Sequence, residues 1–360
     1  MSDSLYTIKE PYARYSLTDE AYEKIRVYLP EEKATGRPGM DVRLFLDALI
    51  FVVREGCSWR SIPSAYGKWN SIYKKFRSWE SQKVFQRIYL CLMGLCEQTA
   101  DSLVLIEQIY YAVSIDSTSN KVHQHAAGAR KDAPEADVKQ HIGTSRGGSN
   151  TKIHALVNDE MDMVAFEITG GQVHDSKMAI SLLEATDIAF VYFNADMAYG
   201  NKKIREYIDS ITADMVCPNK SNAKIIYKFD KGQYKGRNVV ERYFQKLKCY
   251  RRIATRYDKL ACVYRAFIHI AAILIKVENR TREKALVNLS PAKRLMFALI
   301  GFFNTPYYNN LVFIRNNWYD IKKYNFLCCN FFFEHYFVII NLERKHKKIK
   351  ENHYEKYANF

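Results

Sequence analysis

The chain has 360 residues, with 54 lysines and arginines against 39 aspartates and glutamates, so its formal net charge at pH 7 is +15. This length allows two or three domains and a sizeable core. The basic excess favours a polyanionic partner, most often nucleic acid, although a merely basic soluble protein stays open. The eight cysteines form no C-x-x-C pair, which argues against a zinc-stabilised or disulfide-rich fold and favours reduced cysteines in the cytoplasm. The first residues lack the apolar core of a signal peptide, and before residue 295 no apolar run is long enough to span a bilayer, which excludes a membrane partner for that part.

Residues 16–99 are predicted to be helical. A first helix covers residues 19–28. Asp41 is a good N-cap for a second helix over residues 42–54, and Gly56 is typical of its C-terminal end.

A short helix over residues 58–65 and a further helix over residues 71–79 form a helix-turn-helix arrangement. The second of these helices carries Lys74, Lys75 and Arg77, which we predict to contact DNA. The alternative is a basic helical bundle that serves only as a scaffold.

The next part of the sequence alternates β-rich apolar runs with helical segments. Strands are predicted at residues 111–116, 152–157, 163–169, 189–195 and 215–218, and helices at residues 176–185, 201–210, 236–250 and 260–277. The two strands around residues 158–160 read as a hairpin. This order predicts an α/β domain of the ribonuclease-H-like kind, a mixed sheet flanked by helices, although a generic α/β domain shares most of it.

One helix carries a spaced set of functional residue types: Tyr234, Arg237, Glu241 and Lys248. On a helix, Arg237, Glu241 and Lys248 fall within about 40° of one another, beside a face that can pack. A carboxylate flanked by cations suits phosphoryl transfer on nucleic acid. The ordinary alternative is an amphipathic helix with i,i+4 pairing of Arg237 and Glu241.

The spacing of these four residues resembles the Y-R-E-K signature of DDE transposases of bacterial insertion sequences, in the group that includes the IS4 and IS5 families. Residues 35–79, with their Gly-Arg-Pro turn, Trp-Arg and Ile-Pro, are similar to the N-terminal domain of IS5-type transposases. The resemblance covers residues 15–280. It implies a ribonuclease-H-like catalytic domain preceded by an all-helical, helix-turn-helix-type DNA-binding domain.

The resemblance also implies a catalytic triad of Asp116, Asp196 and Glu241. Asp116 ends the first predicted strand and Asp196 ends the fourth, and these strands are neighbours in the implied fold. Three crowded carboxylates repel unless divalent cations neutralise them. Two Mg²⁺ ions fit these oxygen ligands best, with Mn²⁺ as a substitute, and such a pair can drive in-line displacement at phosphorus.

Further DNA contacts are implied at matched positions. Tyr234, Arg237 and Lys248 would contact the DNA end. Residues 143–154 contain paired glycines with Arg146 and Lys152 and resemble a phosphate-approaching loop of the same transposases, although a flexible surface loop is the alternative. The His174-Asp175 pair also matches the family and is interpreted as structural.

One departure lies beside Asp196, where the family has Lys-Gly-Tyr-Asp and this chain has Met-Ala-Tyr-Gly. The lost lysine and the change of glycine to alanine predict lower activity.

The predicted organisation is a helical DNA-binding domain at residues 1–100, a catalytic domain at residues 105–285 and an atypical tail at residues 286–360. The tail is rich in Phe, Tyr, Asn, Ile and Lys, as after a frameshift or read-through of A/T-rich DNA, although a genuine extension stays open.

The predicted function is that of a transposase that binds terminal inverted repeats, cleaves DNA and joins the ends to target DNA as a homodimer. The location expected for it is the bacterial cytoplasm, with nucleoid association. The alternatives are a decayed DNA-binding remnant acting as a repressor, and a host nuclease of the same fold.

Overall fold

The computed structural model describes residues 11–31, 39–98, 103–105, 108–186 and 188–287. The tail predicted for residues 286–360 lies outside the described residues, apart from the last two residues of the final helix. Within the described ranges no helix has the length and apolar character needed to cross a bilayer.

Four α-helices form the N-terminal part: α1 (Asp19–Arg26), α2 (Val42–Glu55), α3 (Trp69–Ser81) and α4 (Val84–Leu92). The predicted ends of α2 are confirmed. The Asp41 carboxylate accepts a hydrogen bond of 2.7 Å from the Leu44 amide, and Gly56 ends the helix with φ of 65°. That left-handed conformation is the one that glycine adopts at little cost.

The helix predicted over residues 58–65 is wrong. Two short 3₁₀ turns replace it, at Trp59–Ser61 and Ser64–Tyr66. Pro63 explains the interruption, because the residue before a proline is pushed out of the helical region, and Ile62 is extended with ψ of 126°.

The rest of the described chain builds a mixed sheet with flanking helices. The strands are β1 (Cys96–Gln98), β2 (Leu103–Leu105), β3 (Gln108–Val122), β4 (Gly143–Ser145), β5 (Gly148–Asn158), β6 (Met163–Gly170), β7 (Ile188–Asn194), β8 (Asp214–Val216) and β9 (Thr255–Arg256). The helices are α5 (Ala179–Glu184), α6 (Lys202–Ser210), α7 (Lys231–Tyr234), α8 (Asn238–Lys248), α9 (Arg251–Ala254) and α10 (Ala261–Val287).

In the larger sheet the strand order is β4-β5-β3-β7-β8, with β6 also paired to β5 and β9 to β3. Strand β3 is antiparallel to β5 and parallel to β7, and β7 is parallel to β8. The predicted fold class is therefore confirmed: a helical region precedes a mixed sheet of the ribonuclease-H-like kind. The first and fourth predicted strands, which we expect to be neighbours, lie in β3 and β7, and these two strands pair.

One hydrophobic core joins the N-terminal helices to the sheet-bearing region. Helix α10 packs against α2, α3 and α4 as well as α8. Phe76 of α3 is fully buried, and its ring stacks on Phe267 of α10 with ring centroids 4.9 Å apart. The domain boundary near residue 100 stays a prediction.

Cys57, Cys217, Cys249 and Cys262 are free thiols, with Cys217 buried and Cys249 exposed, and Cys91 is also buried. The reduced state of the cysteines stays a prediction, and Cys249 does not belong to the core.

Replacing Phe76 with alanine is expected to lower the free energy of unfolding by about 3–5 kcal/mol, because the buried ring leaves a cavity against Phe267. Because the N-terminal helices and the sheet-bearing region share one core, urea unfolding followed by circular dichroism should be a single transition in the parent and in the Phe76→Ala variant. The control is Lys74→Ala on the same helix, whose side chain is exposed and whose loss should change stability by less than about 0.5 kcal/mol. Two separate transitions, with only one shifted, would contradict the shared core.

Asp159, in the turn between β5 and β6, should make the stability of the protein depend on pH. Burial raises the pKa of its carboxyl to about 7, and the charge of Glu160 adds to this. The folded protein therefore keeps a proton on Asp159 that the unfolded chain loses above its usual pKa of about 4, so this group makes stability fall as pH rises from about 4 to about 7.

The Asp159→Asn variant should be more stable than the parent at pH 8 by on the order of 2–4 kcal/mol. The difference should shrink toward pH 4, where both chains carry a neutral group. Thermal unfolding across this pH range measures the effect. A constant difference at all pH values would exclude titration of Asp159 as its cause.

Candidate active site

Two aspartates lie at matching positions along neighbouring parallel strands. The prediction that Asp116 ends its strand is wrong, because β3 runs on to Val122, whereas Asp196 does follow the end of β7 at Asn194. The last paired positions of β3 and β7 are Ser114 and Asn194, and Asp116 and Asp196 each lie two residues further on. Burial raises the pKa of the Asp116 carboxyl; the Ser117 amide and the charge of Arg237 oppose this, and the charge of Asp196 adds to it. The charge of Asp196 acts on Asp116 because the strand register places the two carboxylates at equivalent positions along neighbouring strands.

Asp196 is held in place by a local cap. Its carboxylate accepts a hydrogen bond of 2.8 Å from the Ala198 amide, at the start of a 3₁₀ turn covering Met197–Tyr199. The departure from the family at positions 197 and 198 therefore leaves this cap intact. The side chain at position 197, where the family has lysine, is half exposed.

Arg237 binds the carboxylates of both Asp116 and Glu241. Its Nη1 lies 3.1 Å from Asp116 Oδ2, and its Nη2 donates to Glu241 Oε1. Burial alone would lower the pKa of Arg237, but the charges of Asp116 and Glu241 outweigh it and raise the pKa. The Tyr234 ring lies beside the guanidinium, 5.8 Å from its carbon to the ring centroid. Arg237 is thus a cation held between two of the predicted triad residues.

The oxygen donors suit a hard divalent cation, as the resemblance implied. Within the described residues, however, no three His, Cys, Asp or Glu side chains converge as ligands for a metal ion. The structure brings Asp116 toward Asp196 and joins Glu241 to Asp116 only through Arg237. A buried tyrosine hydroxyl also indicates that the site can bind a further water molecule or ion.

That hydroxyl belongs to Tyr199, which is 1% exposed and whose Oη has no hydrogen-bond partner among the described residues. Burial raises its pKa, and so do the charges of Asp116, Asp175 and Asp196. An unsatisfied hydroxyl amid carboxylates is suited to a bound water or to a water on a cation. Sequence reasoning missed Tyr199, although it lies only three residues after Asp196.

Asp175 organises a second network next to the acids. Its Oδ1 accepts hydrogen bonds of 2.7 Å from Ser117 Oγ and 2.8 Å from Lys152 Nζ. Burial acts to raise the pKa of Asp175, but these hydrogen bonds outweigh it and lower the pKa. Lys152 also donates to the Val173 carbonyl at 2.8 Å. The ammonium predicted to bind DNA therefore has internal partners.

The other predicted DNA contacts are placed unevenly. Arg146 is exposed at the tip of the β4–β5 hairpin, and Lys74 is exposed on α3. Lys248 is exposed, and its Nζ lies 3.3 Å from the Ser119 carbonyl of β3.

The two remaining cations of α3 make internal contacts. Lys75 Nζ donates to the Met40 carbonyl at 2.9 Å, and Arg77 pairs with Glu80 at 2.9 Å and reaches Cys262 of α10. Both cations therefore make contacts within the protein, although they lie on different sides of α3.

Comparisons with known proteins agree with this arrangement. A family model described as "Putative transposase of IS4/5 family" matches residues 17–89, and one described as "Transposase DDE domain" matches residues 107–275. A Brucella ovis protein named "Putative transposase for insertion sequence element IS6501" is 35% identical over 129 residues, which cover 35% of this chain and 96% of that protein.

A second relative, "Uncharacterized protein y4sN" of Sinorhizobium fredii, is 33% identical over 116 residues, covering 32% of this chain and 83% of that protein. The helical region followed by the mixed sheet, the paired aspartates and these similarities have one explanation. The chain belongs to the DDE transposases of insertion sequences of the IS4/5 type.

Proposed function

We propose that this transposase binds the terminal inverted repeats of its insertion sequence and catalyses Mg²⁺-dependent DNA strand cleavage followed by strand transfer. One observation carries the proposal. Asp116, inside β3, and Asp196, just after β7, lie at equivalent positions two residues beyond the last pair of these parallel strands, and Glu241 is tied to Asp116 through Arg237. Ligand crevices in α/β sheets lie at the carboxyl ends of strands, and β7 ends at this place, whereas β3 continues past it to Val122.

In this proposal Asp116, Asp196 and Glu241 hold two Mg²⁺ ions, for which Mn²⁺ substitutes. When bound, such ions activate the attacking oxygen and stabilise the leaving 3′ oxygen. Asp196 keeps one oxygen on the Ala198 amide, which fixes its carboxylate. In the protein without ligands, Arg237 compensates the negative charges of Asp116 and Glu241. When a metal cation takes over that role, Arg237 binds phosphate oxygens.

DNA contacts in the proposal come from Tyr234, Arg237 and Lys248 near the scissile bond and from the exposed cations Arg146 and Lys74. Two copies of the chain act together on paired ends. The net charge of +15 supports long-range attraction of DNA.

Removing one carboxylate at a time tests the catalytic part. Asp116→Asn, Asp196→Asn and Glu241→Gln should each reduce Mg²⁺-dependent nicking of labelled repeat ends by about 100-fold or more, because each loses a charged metal ligand. Affinity for the same DNA in Ca²⁺ should stay within a few-fold of the parent. The matched control is Glu184→Gln, an exposed acid at the end of α5, which should nick normally.

The possible outcomes separate the candidate functions. Undiminished nicking by the Asp116→Asn or Glu241→Gln protein would contradict this mechanism. A parent protein that binds repeat ends but never cleaves them would support a non-catalytic remnant. Cleavage without preference for repeat ends would support a nuclease.

The salt dependence of DNA binding tests the assignment of cations. Arg146→Ala should reduce the slope of log affinity against log salt by about one, as loss of one phosphate contact does. Lys152→Met should leave the slope unchanged, because its ammonium binds Asp175 and the Val173 carbonyl. Titrations of labelled repeat DNA at several NaCl concentrations measure both slopes. A reduced slope for Lys152→Met alone would reverse the assignment.

A further inference from the structure

A second concave site lies away from the carboxylates, between the segment after α2 and the segment after β3. It encloses about 800 Å³, within the range of ligand-binding pockets. Aromatic rings line both sides: Trp59, Trp69 and Tyr73 on one, and His123, His125 and Tyr257 on the other. We call it the aromatic cleft.

The rings are held in fixed orientations. Trp59 meets Tyr73 edge to face, with ring centroids 5.1 Å apart. His123 lies 4.5 Å from His125 and 4.9 Å from Tyr257 between ring centroids. At the rim, Trp69 is 36% exposed, and the guanidinium carbon of Arg60 lies over its ring, 5.6 Å from the centroid. Part of this π surface is therefore accessible from solvent beside a cation.

The cleft carries positive charge. Arg130, Arg252 and Lys259 line it, and Asp258 is the single acid among its lining residues. Arg252 binds that acid at 2.6 Å between Nη2 and Oδ1, so Asp258 is already neutralised. Arg130 and Lys259 are exposed. A ligand that combines a flat apolar face with negative charge suits these walls.

We propose that the aromatic cleft binds an unstacked nucleotide of DNA. Base faces stack on aromatic side chains and phosphates pair with arginine and lysine, which is how proteins hold single-stranded nucleic acid. An intact duplex keeps its base faces stacked inside, so these rings have no base to contact unless a nucleotide leaves the stack.

The position of the cleft supports DNA as the source of that nucleotide. Strand β3 runs without interruption from Asp116 to Val122, and His123 follows it, with its amide donating to the Arg256 carbonyl at 2.9 Å. At about 3.3 Å per residue, the cleft begins roughly 23 Å from Asp116 along the strand. The exposed ammonium of Lys248 lies between the two, at Ser119. The inference rests on the proposed function only in taking DNA as the ligand, since cleavage is not required.

The test is binding of a fluorescein-labelled oligodeoxythymidylate by the full chain, followed by fluorescence anisotropy. Trp69→Ala and Trp69→Leu should each weaken binding by about 5- to 100-fold, the loss of one stacked base. Trp69→Phe should bind within a few-fold of the parent, because phenylalanine keeps a π face that leucine lacks.

Arg130→Ala, an exposed position outside the core, should also weaken binding and keeps the test valid if Trp69 variants fold poorly. Arg26→Ala on α1 is the matched control, since its side chain is 63% exposed and pairs locally, with Glu23 at 3.0 Å. Its affinity should equal that of the parent.

Unchanged oligonucleotide affinity in both Trp69→Ala and Arg130→Ala would overturn the proposal, as would parent-like binding by Trp69→Leu. Displacement of the oligonucleotide by free thymidine monophosphate at equal concentration would assign the cleft to a free nucleotide and overturn DNA as the source. Altered self-association of Trp69→Ala in sedimentation, with oligonucleotide affinity unchanged, would make the cleft an interface between copies.

The Asp116→Asn protein separates this proposal from the catalytic one. It should bind the oligonucleotide as the parent does, with the same dependence on Trp69. If the parent never cleaves repeat ends but this dependence holds, the proposed function fails and the cleft assignment stands.

Discussion

The pairing of β3 is the constraint on which the rest of the site depends. Strand β3 is bound on one side by β5 along most of its length, whereas on the other side β7 stops opposite Ser114 and β9 begins only at Lys121. Asp116 lies in the stretch between, where β3 has lost its parallel neighbour. Helix α8 covers part of this opening, and Lys248 reaches the Ser119 carbonyl there. Asp116 is therefore held in a rigid sheet but lies in a stretch where β3 has no parallel neighbour. A catalytic group needs this combination of rigid support and access.

Electrostatics then decide the arrangement of the remaining groups. Asp116 and Asp196 repel, and a buried carboxylate without compensation is costly. Arg237 supplies that compensation by binding Asp116 and Glu241 together, while Lys152 and Ser117 satisfy Asp175 on the other side. The pairing of Lys152 with Asp175 removes that cation from the surface that could bind DNA, and Arg237 is paired with carboxylates in the protein without ligands. The basic surplus available to a polyanion is consequently smaller near the acids than the sequence count suggests.

The sequence predicted those features that depend on local pattern. The apolar runs predicted the central strands and their order, and i,i+4 spacing alone predicted the pairing of Arg237 with Glu241. It could not predict that the same guanidinium also binds Asp116, or that Lys152 turns inward, because these contacts join residues that only the fold brings together. The helix predicted over residues 58–65 does not form for a local reason, because Pro63 pushes Ile62 out of the helical region. The three carboxylates remain a predicted triad, whose two aspartates lie at equivalent strand positions.

The same strand also links the acids to the aromatic cleft. Arg256 is fully buried at the end of β9, where its Nη1 donates to Thr151 of β5 at 2.9 Å and its Nε to the Asp258 carbonyl at 3.0 Å. Through these bonds the wall of the cleft is tied to the sheet that carries Asp116, so the separation between the two sites is set by strand geometry and not by a loop. Under the two proposals above, sites at a fixed separation would select for DNA in which a strained or unpaired step lies at one distance from the scissile phosphate. Such selection requires no reading of base edges, because the cost of unstacking a step depends on its sequence.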